Sequence, residues 1–185
     1  GARVLLANRT PAKAQALADQ LGCQATDNQT VAAQCQLIFL GVKPQMMEGL
    51  LKSIAPTLAA RKDRFVLVSM AAALTIPDLR ERGCGDWPLI RIMPNTPSAI
   101  GEGVIFYTCD GVTAEEEVAF LENMAGAGRL LPLDDHLMDA GSAVAGCGGA
   151  FVSLFLEALA DGGVACGLAR DKAMICAAQT LVGTG

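Results

Sequence analysis

Aromatic residues are scarce in this chain: one Trp, one Tyr and six Phe make up 4% of 185 residues. A core with so few rings is filled mainly by Ala, Gly, Leu and Val, which suits helices and strands that approach closely. Histidine is scarcer still, His136 being the single one. None of the cysteines (Cys23, Cys35, Cys84, Cys109, Cys147, Cys166, Cys176) forms a Cys-x-x-Cys pair, so a metal site lacks the ligands it needs. A disulfide framework is not expected in a chain this large and apolar. The thiols are expected to be reduced and buried, in a cytoplasmic protein. No Lys/Arg stripe is present, and a net charge of −5 with pI near 4.8 argues against broad nucleic-acid binding. Any phosphate site is then a local one. No uninterrupted run of about 18 apolar residues occurs, so no membrane span is expected. Gly1-Ala2-Arg3 does not read as a signal peptide.

Apolar residues, by contrast, are plentiful: 52% are hydrophobic, 18% are charged, and the mean hydropathy is +0.39. Burial is not the limiting problem, and the surplus points to a homodimer or a higher oligomer built from dimers.

The pattern alternates. Val4–Ala7 reads as a strand, and Thr10-Pro11 opens a helix that Gly22 ends. Cys23–Thr26 is a second short strand, Thr30–Ala33 a short helix, and Leu37–Val42 a continuous apolar strand of the kind found inside parallel sheets. Pro44 opens a helix carrying Met47, Leu50, Leu51 and Ile54. Phe65–Ser69 is a strand, Ile76–Arg82 a short helix, and Leu89–Met93 and Val104–Thr108 are strands. Thr113 and Glu116 form a capping box for Glu115–Met124, and Leu130–Leu133 is a last strand. Strand signals vanish after that. The reading is α/β: a doubly wound, parallel dinucleotide-binding sheet over residues 1–134, then a helical domain over 135–185.

Ligands bind such sheets at the carboxyl ends of the strands. Asn8-Arg9-Thr10 stands where the second strand of the fold meets the adenosine ribose. An acidic residue there selects NAD; Asn and Arg suit the 2′-phosphate of NADP, although Thr10 also serves as a helix cap. Asn28 falls in the turn after the next strand, near the expected adenine. Val42-Lys43-Pro44 follows the most apolar strand, where backbone lines a ribose and pyrophosphate. Met70-Ala71-Ala72-Ala73 leaves room for a flat ring. Pro94-Asn95-Thr96-Pro97 brackets an amide and a hydroxyl between prolines, a stiff way to hold two polar groups still. His136 has no partner set by spacing. Ser153, Glu157 and Asp161 recur every fourth residue and read as a solvated stripe on an apolar helix.

Arg91–Pro97 resembles the Met-Pro-Asn-Thr-Pro loop of pyrroline-5-carboxylate reductases, and Gly41–Gln45 their Ala-Val-Lys-Pro strand end. Leu137-Met138-Asp139-Ala140 and Ala145-Gly146-Cys147-Gly148-Gly149-Ala150-Phe151, with Glu157–Val164 and Gly167-Leu168, resemble the family's helical block. The resemblance implies a Rossmann-like domain followed by a helical dimerisation domain. It further implies reduction of Δ1-pyrroline-5-carboxylate to L-proline by hydride from NADPH or NADH. Asn8, Arg9, Thr10, Asn28, Val42, Lys43, Pro44, Ala71 and Ala72 match cofactor-lining positions, and Met93–Pro97, including Pro94, Asn95 and Thr96, match residues beside the nicotinamide. No catalytic group is assigned.

Departures exist. Ala73 stands where the family has Gly, and Gly149 and Ala169 stand where it has Pro. The family's Gly-rich pyrophosphate turn and its Ser-Pro-Gly-Gly-Thr-Thr segment are absent, so the chain is expected to be a fragment that begins one βα unit late. Two other readings stay open: an NADP-dependent β-hydroxyacid dehydrogenase-like enzyme, of a kind that typically uses a helix-borne Lys as proton donor, against which it counts that Lys172 is the sole Lys after the boundary, and an inactive nucleotide-binding or oligomerisation module.

Overall fold

The computed structural model describes residues 3–185; Gly1 and Ala2 lie outside it, and so does their part in the expectation of no signal peptide. The chain divides into two compact units, residues 1–139 and 140–185.

The first unit is Rossmann-like. β1 (Leu5–Ala7) leads into α1 (Pro11–Leu21), which starts on a proline whose missing N–H costs nothing there. Gly22, at φ 65°, ends α1 and donates its N–H to Ala18 O. β2 (Gln24–Thr26) pairs in parallel with β1, Leu5 opposite Gln24. α2 (Asn28–Gln34) is capped by Asp27, whose carboxylate accepts from Thr30 N at 2.7 Å and is held below the usual carboxylate range by that bond. β3 (Leu37–Leu40), β4 (Val66–Ser69) and β5 (Leu89–Met93) then run parallel in one sheet. A 3₁₀ turn (Pro44–Met46) precedes α3 (Met47–Ala59), which buries Met47, Leu51, Ile54 and Leu58 at helical spacing. α4 (Ile76–Leu79) begins in a Thr75–Asp78 capping box. Those Thr75 bonds hold the Asp78 carboxyl below its ordinary value. The helix expected to run to Arg82 widens into a π-type turn at Arg80–Cys84, where Gly83 takes φ 107° and leaves the helical backbone.

Two further strands complete the sheet, in the order β3-β4-β5-β6-β7. β6 (Gly103–Asp110) runs antiparallel to β5, which corrects the expectation of an all-parallel sheet. The reason is the short connection 94–102. A parallel return needs a crossover of about a dozen residues or more, usually helical. β7 (Gly128–Pro132) has one, α5 (Ala114–Met124), and pairs parallel to β6. The Thr113–Glu116 capping box of α5 forms as expected. Within the described residues β1 and β2 make a sheet of their own, without a ladder to β3.

Alternation along the strands sorts the core into two faces. Leu67 and Leu89 join α3 and α4 residues on one; Val66, Val68, Ile90, Ile92, Ile105 and Tyr107 meet Phe120 of α5 on the other.

The second unit holds most of α6 (Met138–Ala165) and all of α7 (Arg170–Thr184), packed through Ala160, Ala173 and Ala177. The Ser153–Glu157–Asp161 stripe is exposed, as expected of a solvated face, and also takes part in local contacts: Ser153 donates to Gly149 O, while Arg170 pairs with Glu157 and Asp161. Phe151, Leu154 and Phe155 are among many exposed apolar residues of α6. By length and composition this helix could cross a membrane, with mean hydropathy 1.7 over an 18-residue window that is 6% buried. The interspersed glycines and serines kept that from showing as an uninterrupted run. Cys147, Cys166 and Cys176 are exposed as well, against the expectation of buried thiols, because apolar sequence neighbours on these helices are not spatial cover.

Gly103 and Gly128 face each other at the start of the β6–β7 ladder. A Cβ on Gly128 would lie 2.1 Å from Gly103 O, and its φ is 130°. Gly128→Ala is expected to destabilise the first unit by about 3 kcal/mol, since both backbones would have to move. Urea unfolding of variant and parent checks this.

Candidate functional site

Register decides where the strand ends fall. Leu40 pairs with Ser69, and Ser69 with Arg91, so β3, β4 and β5 finish side by side. The segments that follow, Val42-Lys43-Pro44, Ala71-Ala72 and Pro94-Asn95-Thr96, therefore leave one edge of the sheet. Gly41 and Met70 are neighbours there: a Cβ on Gly41 would lie 3.7 Å from Met70 Sδ. Lys43, Ala72 and Thr96 are exposed; Val42, Pro44, Pro94 and Asn95 are half-buried; Ala71 is buried. The strip is largely solvent-accessible, and Ala71 and Ala72 are its small residues.

Asn8, Arg9 and Thr10 follow β1 and are all exposed. Asn8 Oδ1 accepts from Thr10 N at 2.9 Å, which shapes the turn and takes up the Thr10 backbone N–H but not the Asn8 side-chain NH2. Thr10 does not cap α1 with its side chain, and no acidic residue occupies the helix's first turn. The end is thus electropositive and leaves helix amides for an anion. Asn28 is the first residue of α2, with Asp27 as cap; the expected placement in a preceding turn shifts by that one step.

The Pro-Asn-Thr-Pro segment is stiff for a reason its sequence did not reveal. Asn95 Oδ1 accepts from Val104 N at 2.9 Å, pinning the loop to the start of β6, and Thr96–Ile100 coils into a 3₁₀ turn. The amide oxygen thus serves the fold.

Arg91 escaped the reading as a site residue. It is 1% exposed, and its Nη1 donates to Asp135 Oδ1 at 2.7 Å and to Asp135 O at 3.2 Å. The one legible signal was an arginine inside the apolar strand Leu89–Met93. His136, adjacent to that aspartate, is exposed and lies in a 3₁₀ turn, Asp135–Leu137, preceding α6.

Two cavities lie elsewhere. One, of about 350 Å³, is lined by Tyr107, Thr108, Cys109, Glu117 and the segment 132–134 with Leu137. Tyr107 donates to Glu117 Oε1 at 2.9 Å; burial, then that bond, pushes its pKa up to about 12. Burial likewise raises Cys109 to about 11, which leaves it a poor nucleophile. The other, about 540 Å³, lies between α6 and α7. Neither includes the residues at the strand ends; an extended dinucleotide suits an open strip along a sheet edge better than a closed pocket. Among the described residues no group of acidic, His and Cys side chains is arranged to hold a metal ion.

Known proteins resemble the chain over nearly its whole length. The family model for pyrroline-5-carboxylate reductase dimerisation matches residues 135–185, and that for NADP oxidoreductase, coenzyme F420-dependent, matches residues 1–73. Pyrroline-5-carboxylate reductase of Pisum sativum is 35% identical over 98% of this chain and 65% of its own length; that of Glycine max is 36% identical over 84% and 56%. The chain therefore spans a little over half to two thirds of these relatives. Among solved structures, the Plasmodium falciparum pyrroline carboxylate reductase with NADP bound superposes with a TM-score of 0.77 at 30% identity, covering 87% of this chain and 61% of that one. The Streptococcus pyogenes 1-pyrroline-5-carboxylate reductase reaches 0.85 at 27% identity, covering 98% and 68%.

Ala73 is the single non-glycine described residue with positive φ, at 60°. This conformation costs an L-residue about 1 kcal/mol or more. Ala73→Gly is expected to stabilise the first unit by up to about 1 kcal/mol. Thermal unfolding of the two proteins gives the sign directly.

Proposed function

We propose that this chain, which belongs to the pyrroline-5-carboxylate reductase family, works in the reduction of Δ1-pyrroline-5-carboxylate to L-proline, with NADPH as hydride donor. The observation that carries the reading is the aligned edge after β3, β4 and β5, taken with likeness to the pea reductase over 98% of the chain.

In this reading Arg9 and the uncapped start of α1 hold the 2′-phosphate, with Asn8 shaping the turn and the Thr10 hydroxyl as a further donor. Their chemistry fits: a guanidinium and helix amides are a phosphate's natural partners, and no acidic side chain of the first turn competes. Asn28 lies by the adenine, Val42-Lys43-Pro44 by the pyrophosphate and ribose, and Ala71 and Ala72 give a flat ring room to approach. Pro94, Asn95 and Thr96 flank the nicotinamide, their loop held by the Asn95–Val104 bond. NADPH, when bound, supplies the hydride. What the chain adds is position: reduction of a C=N bond needs orientation and exclusion of side reactions more than a nucleophile. The exposed apolar side chains of α6 are proposed to be covered by a second copy, making a homodimer, or a higher oligomer of such dimers, rather than by lipid. All seven cysteines being free suits a reducing, cytoplasmic setting.

The test is spectrophotometric. The whole protein encoded by the gene should oxidise NADPH only when the cyclic imine is added. Arg9→Ala should raise KM for NADPH about tenfold while leaving KM for NADH nearly unchanged, because the lost charge-assisted bonds serve only the phosphate. A folded whole protein that turns over hydroxy acids and not the imine would favour the dehydrogenase-like reading. One that dimerises without binding nucleotide would favour an inactive module.

A further inference from the structure

The core around β5 has no packing need for an arginine. Leu89, Ile90 and Ile92 are fully buried, and an aliphatic residue at 91 would fill the strand without the desolvation a guanidinium suffers. What Arg91 does instead is grip the chain 44 positions later. Nη1 donates to both the carboxylate and the backbone oxygen of Asp135. Nη2 stands 4.0 Å from Asp139 Oδ1, and Nε is buried with no partner. The second oxygen of Asp135 accepts from Ile76 N, the first residue of α4, at 3.1 Å. One carboxylate thus joins three segments: the end of β5 just before the Pro94–Thr96 loop, the start of α4 just after the Ala71–Ala73 turn, and the residues leading into α6. Met138, at the start of that helix, is fully buried.

We infer that Arg91 and Asp135 are positioning residues. Their pair locks the loop after β5, the start of α4 and the entry to α6 into one geometry, and so sets the substrate-facing edge of the site while leaving the 2′-phosphate end alone. A buried guanidinium tolerates the loss of its carboxylate poorly, so the three segments hold their register only while the pair is intact. The kinetic part of this inference rests on the function proposed above; the structural part does not.

The experiment compares Asp135→Asn and Asp135→Glu with the parent, in the whole protein. Amide hydrogen exchange reads the lock without any chemistry. Asp135→Asn should speed exchange tenfold or more in segments 74–79, 94–100 and 135–142 together, with β3 and β4 unchanged. Steady-state kinetics reads its use: kcat/KM for the imine should fall at least tenfold while the Kd for NADPH stays within threefold, and Asp135→Glu should recover part of the loss. Exchange rising in only one segment, or in none, would overturn the inference. So would a proportional fall in nucleotide binding and turnover, which is what a merely destabilised fold gives. If Asp135→Asn does not fold, Arg91→Lys keeps both charges while losing the planar fork, and it carries the same comparison. A parent that does not reduce the imine would overturn the proposed function alone, and the exchange result would still decide the lock.

Discussion

The register that sets Leu40 beside Ser69 and Ser69 beside Arg91 is the constraint on which the site depends. It lines up three strand ends so that the segments after them leave one edge together. Because side chains alternate along a strand, a slip by a single residue would exchange Leu67 and Leu89, packed with α3, for the residues packed with Phe120 of α5, so the fit of the two cores holds the register. The shared edge is then a by-product of core packing. In the proposed site, Ala71 and Ala72 need only stay small for a planar ligand to reach the backbone.

Against that apolar background the Arg91–Asp135 pair stands out as a polar commitment within the core. Isolated ion pairs at a surface contribute little, and buried ones are seldom a source of net stability. Their use lies in specifying a geometry that hydrophobic packing leaves loose. Here three segments meet at one carboxylate, two of them next to proposed cofactor contacts. The second unit shows the opposite strategy. Its helices meet through alanines and leave large apolar side chains outward, the face that the proposed dimer would cover.

Much of the fold was legible because its signals are local. Pro11 and Gly22 bracket α1, Thr113 with Glu116 opens α5, and the run Leu37–Leu40 marks a buried strand; each needs only neighbouring residues to be understood. The strand ends that carry the proposed site were legible for the same reason, since a proline or a change from apolar to polar marks the end of a strand. The direction of β6 was not, because it depends on whether the connection after β5 can hold a crossover helix. Exposure of Cys147, Cys166 and Cys176 was misjudged because apolar neighbours along a helix do not report what covers it.

The amino-acid sequence by itself determined the alternation of strands and helices, the caps, the apolar faces and the segments that end the strands. These follow from backbone propensities and from hydrogen bonds spanning a few residues. Only the tertiary structure decided that Asn95 ties its loop to Val104, that Gly103 and Gly128 must both lack a side chain, and that Arg91 meets Asp135. Those contacts join residues on different elements. Whether they form is settled by sheet register and helix docking, which depend on the whole core at once and leave no trace in any short stretch of chain.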